Sequence, residues 1–522
     1  MIFTLALAQV DTAWVRRWDG AAHLLEWTTA LALDSSSNVI VTGNTETDTI
    51  LGHEDIITLK YSPTGELLWA RQYGTPNELD RSCAVACDRQ GNVYVTGELD
   101  RARHMVVLKY DSMGTLKWVR QYGNYGADLG LDCAGNIYVC GDTYQNQTLF
   151  DFITIKYRPN GDTAWVRKKD GARHEDYPVD IAVDSKGRVC VVGECWYSVG
   201  VDYLTVVYDS LGFELWSAVY DSTPDIDMPS AVAVDSFGNV IVTGTSKGDS
   251  ADLDYLTIKY SPDGKTCWRQ RFNGTANLDE GASAMAIDKD GNIYVTGGAA
   301  MAGTGSDYVT IKYGPQGNQL WVARYDGPAH RHDVAFALGL DESGYVYVTG
   351  SSWGFGRDED CVTICYPPDG RTAWVHRFDT LYNGVIEAYF LAVGPNREVV
   401  VAGVVYDTLI NPIKRDILII KYVQPGGIDG KGTEPAQRLV LFAEPNPFQD
   451  QTTVRFSAVS GVVRVEVYDV TGRLVKRLTP MDTGLFRWNR IGEDNKRLPA
   501  GVYTLIIATR NQQAAVKLIA LP

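Results

Sequence analysis

"DYLTIKYSPDG" occupies residues 254–264, and its relatives return as "DIITLKYSPTG" at 55–65, "DFITIKYRPNG" at 151–161 and "DYVTIKYGPQG" at 307–317. Each copy begins with alternating apolar and polar residues, the period of a strand. Each closes on Pro-x-Gly, where proline presets φ and glycine supplies the positive φ at which the chain reverses. The eleven residues are therefore a strand and the turn into the next one. Around the copy at 254, "SAVAVD" (230–235), "NVIVTG" (239–244), "DYLTIKY" (254–260) and "KTCWRQRF" (265–272) read as four short strands with no helical period.

Three landmarks count the copies. Trp14, Trp69, Trp118, Trp165, Trp216, Trp268, Trp321 and Trp374 mark fourth strands about 51 residues apart. Gly43, Gly97, Gly141, Gly193, Gly244, Gly297, Gly350 and Gly403 close second strands, and Tyr61, Tyr110, Tyr157, Tyr208, Tyr260, Tyr313, Tyr366 and Tyr422 end third strands. Eight four-stranded units predict an all-β, eight-bladed β-propeller, with seven blades as the alternative if one unit is irregular. The third unit, shortened at "QYGNYGADLGLD" (121–132), is the weakest. The chain opens on a lone fourth strand, "DTAWVRRW" (11–18), and the repeats stop at a third strand, "DILIIKY" (416–422). The two ends are expected to complete one blade and so remove an open sheet edge. A recurring Asp before the first turn (Asp34, Asp88, Asp132, Asp184, Asp235, Asp288, Asp341) is expected to cap each first hairpin.

The propeller is thus placed at 9–422. Residues 1–8 read as the remnant of a signal peptide, with Ala6-Leu7-Ala8 as a small-x-small cleavage site before Gln9 and the true start upstream. The Gly-rich stretch 423–438 reads as a linker, and 439–522, with about seven short strands, as a small immunoglobulin-like β-sandwich. The repeat units resemble the SBBP-type propeller repeats of bacterial secreted proteins. In the tail, "PNPF" (445–448), "YDVTGRLVKRL" (468–478), "WNRIGEDNKRLPAGVYTL" (488–505) and "AAVKLIAL" (514–521) resemble, in order, the C-terminal sorting domain of the bacterial type IX (Por) secretion system. The resemblance implies a secreted or outer-surface protein whose tail engages the secretion machinery.

Composition narrows the partners. A net charge of −16 and a pI near 4.9 exclude a nucleic-acid binder, which needs basic surface to release counterions. No apolar run approaches the roughly 18 residues of a membrane helix. Nine cysteines without a CxxC read as small buried residues, with neither a disulfide framework nor a zinc site.

Little chemistry is written in linear motifs. "GSSWG" (350–354) and "GTSKG" (244–248) both fit G-x-S-x-G, but at equivalent places of two repeats and before loops, whereas a nucleophile elbow needs a following helix. His330, His332 and Asp333 stand close enough to suggest a metal ligand set, but read as solvated loop residues. No catalytic residue, metal ligand or cofactor is therefore expected. The loops are more informative. The 1–2 and 3–4 turns are short and uniform, while the 2–3 and 4–1 loops vary in length and content, the division expected between a scaffold face and a binding face. Trp196, Tyr197, Trp353 and Phe355 place aromatic rings on the variable side, suited to an unknown glycan or protein ligand. Glu26, Asp80, Asp176, Asp227, Glu280 and Asp333 recur before the inner strands as a candidate acidic ring at the channel mouth; the alternative is that each binds backbone donors of the adjacent loop. The expectation is an exported propeller that binds or scaffolds, more readily than an enzyme. The alternative is an extracellular glycan-active hydrolase or lyase.

Overall fold

The computed structural model describes residues 10–48, 53–101, 103–145, 149–171, 174–197, 200–222, 226–247, 252–276, 278–354, 359–378, 385–407, 414–423, 441–444, 451–456, 462–469, 473–478, 485–492, 496–509 and 513–520. Residues 1–8, Phe355 and all but one residue of 423–438 lie outside them. The chain divides into two compact units, Met1–Gln424 and Pro425–Pro522.

The larger unit contains eight four-stranded antiparallel sheets. Seven are continuous meanders over 26–73, 81–121, 126–169, 176–220, 227–272, 281–325 and 333–378, called blades one to seven. The eighth is composite. Ile386–Val393, Val399–Asp407 and Lys414–Val423 supply its inner three strands, and Asp11–Trp18 its outermost. Asp11 pairs with Val423 and Trp18 with Ile417 in antiparallel register. The first strand of each blade lies against the first strand of the next, and Ile386–Val393 lies against Glu26–Leu33, so the ring closes as in a β-propeller. The short Gly126–Leu131 strand still forms a complete third blade.

Burial follows position in the blade. Second strands such as Val93–Leu99 are buried throughout, because both sheet faces meet neighbouring blades, while fourth strands such as Glu214–Tyr220 alternate toward solvent. The glycine of "VTG" is explained by a close approach: a Cβ on Gly97 would stand 2.0 Å from the Arg81 carbonyl oxygen. The fourth-strand tryptophans tie blade to blade. Trp165 lies over Gly212, in the 3–4 turn of the following blade, and its Nε1 donates to Ser210 O at 3.2 Å. The same bond to the next blade's turn is made by Trp14, Trp69, Trp118, Trp216, Trp268 and Trp321. Trp374 differs. The blade after it is the composite one, whose third and fourth strands come from opposite ends of the chain and share no turn. Its ring is fully buried beside Val10 and Tyr422, and among the described residues its Nε1 has no acceptor.

The smaller unit holds a three-stranded sheet (Leu441–Glu444, Thr452–Phe456, Leu485–Trp488) and a four-stranded sheet in the order Leu474–Leu478, Val462–Asp469, Gly501–Thr509, Gln513–Ala520. Val454 and Trp488 from the first share one core with Val465, Val467, Leu505, Ile507 and Leu518 from the second.

Candidate functional site

The face carrying the 1–2 and 3–4 turns is repetitive down to single hydrogen bonds. Asp88 Oδ1 accepts the backbone N–H of Gln90 and of Asn92, both at 2.9 Å, and its Oδ2 accepts Asn92 Nδ2 at 2.7 Å. Asp34, Asp132, Asp235 and Asp288 repeat all three bonds. Buried lysines reinforce two of them: Lys60 Nζ lies 2.8 Å from Asp34 and Lys259 Nζ 3.0 Å from Asp235. Burial pushes the Asp34 carboxyl up, but the bonds from Lys60 and Asn38 outweigh it and hold the group below its usual range. These groups are occupied in holding their turns.

Phe213 and Phe237 stand exposed on turns of this face, while the opposite face carries the exposed rings of Tyr122, Tyr125, Tyr144, Trp196 and Tyr197. Trp196 and Tyr197 end the strand Val189–Tyr197 in blade four and remain 41% and 39% exposed. Trp196 Nε1 donates to Glu194 Oε2 at 3.0 Å, and its backbone N–H to Glu175 O at 2.9 Å, which fixes the ring with one side to solvent. Trp353 ends the equivalent strand of blade seven; the Arg331 guanidinium lies 5.3 Å from the centre of its half-buried ring. These residues therefore sit on separate blades and do not form one site.

A set that the sequence reading passed over joins the first patch. Tyr144 and Phe150 flank the 2–3 loop of blade three with ring centres 5.5 Å apart, and Phe150 stands 5.8 Å from Tyr177 of blade four. Tyr144 is 51% exposed, and Tyr177 OH donates to Glu175 Oε2 at 3.0 Å. A strip of rings and carboxylates, Tyr144–Phe150–Tyr177–Glu175–Trp196–Glu194, thus crosses the junction of blades three and four. Such rings give flat apolar contact, and the carboxylates accept hydroxyl or amide protons. The signal was present in "TYQNQTLFDF" (143–152), whose aromatics flank a variable loop as Trp196 and Tyr197 do.

The six recurring acids stand at, or one residue before, the start of inner strands, and all are buried, none more than 3% exposed. Five of them accept backbone N–H groups from the loop that enters their blade. Glu26 takes Gly20 at 3.1 Å, Asp176 Gly171 at 2.6 Å, Asp227 Ser222 at 2.9 Å, Asp333 Gly327 at 2.6 Å, and Asp80 takes Thr75. Burial pushes the Glu26 and Glu280 carboxyls up to about 7 and Asp176 to about 6, and the bonds from Gly20 and Gly171 oppose the shift in Glu26 and Asp176. His330 Nδ1 pairs with Asp326 Oδ2 at 2.8 Å, and Asp333 is buried under its own loop. Ser352 is buried in its strand beside Arg377 and Asp360.

Comparison with known proteins follows the same division. Residues 444–520 match the family of secretion system C-terminal sorting domains, and residues 68–98, from the fourth strand of blade one to the second of blade two, match the SBBP β-propeller repeat. An uncharacterized WD repeat-containing protein of Acanthamoeba polyphaga mimivirus is 22% identical over 466 residues, a match that takes in 74% of this chain and 30% of that protein. The chain therefore spans about a third of the length of that curated relative. Among solved structures, Sqt1 of Chaetomium thermophilum superposes with a TM-score of 0.53 at 12% identity, over 80% of this chain and 99% of that one, a likeness of fold alone. PorZ, a surface component of the type IX secretion system of Porphyromonas gingivalis, aligns over 95% of this chain and 81% of its own, with 14% identity and a TM-score of 0.35. The chain thus carries an SBBP β-propeller repeat and a C-terminal type IX sorting domain, which directs it to the cell surface or the extracellular space.

Proposed function

We propose that the protein is an exported binding or scaffold module that presents the variable-loop face of its propeller to a glycan or protein ligand. The carrying observation is the contrast between the two faces. One has its turns closed by repeated Asp caps; the other exposes the strip from Tyr144 to Trp196. On this reading the strip is the recognition surface, with rings for stacking and Glu175 and Glu194 for hydrogen bonds. The two sheets of the tail, which share one core, favour reading 439–522 as an immunoglobulin-like sandwich, and 423–438 as the tether that joins it to the propeller.

A glycan array and a peptide-display screen with the purified full chain test the proposal. Binding that falls at least tenfold in Trp196→Ala and in Tyr144→Ala, with melting temperatures unchanged, is the expected result. Catalytic turnover of the captured ligand, abolished by Glu175→Gln or Glu194→Gln, would replace it with the glycan-active enzyme reading.

A further inference from the structure

In blades one, five, six, seven and eight an aspartate opens or nearly opens the third strand, and a fourth-strand residue in fixed register answers it; blade two has His104 in the aspartate's place. The partner sits opposite the residue two places after the aspartate. In blade one Ile57 pairs with Gln72, whose Nε2 donates to Asp55 Oδ2 at 2.7 Å. Leu256 pairs with Arg271, which lies 3.1 Å from Asp254. Val309 pairs with Arg324 on Asp307, Val362 with Arg377 on Asp360, and Leu418 with Arg17 on Asp416. Burying a carboxylate is costly unless a donor or a cation meets it, and the repeat supplies one.

Blade four has the aspartate but an apolar residue where the answer would stand. Its aspartate is Asp202, 5% exposed, and the residue opposite Leu204 is Val219. Among the described residues no donor or cation reaches Asp202; its near charges are two more carboxylates. Asp221, just past the fourth strand, and Asp227, which opens the first strand of blade five and is fully buried, each bring an oxygen within 4.8 Å of the others. Asp227 is partly satisfied by Ser222, whose N–H donates to Oδ2 at 2.9 Å and whose Oγ lies 3.0 Å from both its oxygens. That hydroxyl also lies 2.7 Å from the Lys247 carbonyl oxygen, which leaves its one proton to only one of these acceptors. Without a cation, burial first and then Asp221 and Asp227 push the Asp202 carboxyl up to about 7.

We propose that Asp202, Asp221 and Asp227 form a divalent-cation site of the calcium type at the junction of blades four and five. The ligand atoms are hard oxygens only, which favours calcium or magnesium over zinc or copper. Calcium holds oxygens at about 2.3–2.6 Å from several directions, so opposed ligands are about 4.6–5.2 Å apart. A cluster spread over as much as 4.8 Å fits that reach, whereas magnesium needs a tighter octahedron. The ion would stand where guanidinium groups stand in blades five, six and seven. Three further acid clusters, Asp19–Glu26–Asp416, Asp151–Asp170–Asp176 and Asp307–Asp326–Asp333, occupy equivalent junctions. Arg17 and Arg324 already neutralise the first and the last.

The repeat itself suggests the test. Full-length protein stripped with chelator is titrated with calcium chloride at pH 7.5 by calorimetry and by thermal melting. Wild type should show a saturable heat and a melting temperature raised by about 1–3 °C in 10 mM calcium. Asp202→Asn should weaken the binding at least tenfold. Val219→Arg, which places in blade four the guanidinium found in its neighbours, should abolish the calcium response while melting in chelator at or above the wild-type temperature. A wild type that neither binds nor responds to calcium overturns the proposal, and marks Asp202 as a carboxyl neutralised by protonation. Equal calcium response in wild type and Val219→Arg also overturns it, because the binding then lies elsewhere.

Discussion

Glu26 has one oxygen engaged: Oε1 accepts the Gly20 N–H and the Thr45 hydroxyl, while among the described residues the buried Oε2 has no partner. Asp19 and Asp416 share the site, with Arg17 on Asp416. Burial pushes the Glu26 carboxyl from 4.5 up to about 7, the Gly20 bond opposes this, and Asp416 adds to it. The native state therefore keeps a proton that the unfolded chain releases. This contribution to stability is complete below pH 4.5 and declines as pH rises toward about 7. Melting temperature should fall across that window, and Glu26→Gln, which keeps the shape and removes the titration, should flatten the fall. A slope unchanged in the variant would show that Glu26 does not carry the dependence. None of this was legible at the residue itself. Recurrence of the six acids showed in the sequence that they matter, but a carboxylate on a loop amide and one facing a channel are spelled alike. Only burial and the donor positions separate them.

The blade was legible almost completely, because each of its strands carries its own period and each turn its own chemistry. What stayed hidden is what depends on register between strands. Val219 in "ELWSAVY" and Arg271 in "TCWRQRF" are plain in the sequence. That they answer Asp202 and Asp254 follows only once Leu204 and Leu256 are known to face them. The Tyr144–Phe150–Tyr177 strip was missed for a similar reason, since its members come from two blades. The tryptophans allow a direct comparison at this scale. Trp165 gives its Nε1 proton to the next blade, whereas Trp374, in the corresponding place, is buried with that proton unmet among the described residues. Trp165→Phe should cost about 1 kcal/mol beyond its loss of packing, and Trp374→Phe should lack that extra term, because an unmet buried donor leaves with the ring. Equilibrium denaturation of the two variants measures the difference; equal losses would mean that the hydrogen bond contributes nothing.

At the scale of the molecule, eight blades share one ring and a single seam. Asp11–Trp18 seals that seam by pairing with Lys414–Val423 and by setting Trp14 over Gly65 of blade one. Deleting residues 10–18 exposes the edge of Lys414–Val423 and empties the place of a buried tryptophan, a loss on the order of 3–5 kcal/mol for that side chain alone. The truncated protein should melt several degrees below the parent, and a melting temperature within a degree of it would refute closure as a source of stability. The same seam sets a timetable. Blades one to seven are meanders of neighbouring strands, and each can form as soon as its own stretch of chain is free. The eighth joins Asp11 to Val423, so its loop-closure entropy must be met before its contacts return anything, and remote pairings of this kind are slow. A chain delivered from its N-terminus holds an unsealed ring until residue 423 has arrived. During that interval Asp11–Trp18 is a strand in search of a partner, and a second copy of the same chain offers the same Lys414–Val423 edge. The rate of one late pairing event thus decides between a sealed monomer and strand exchange between copies.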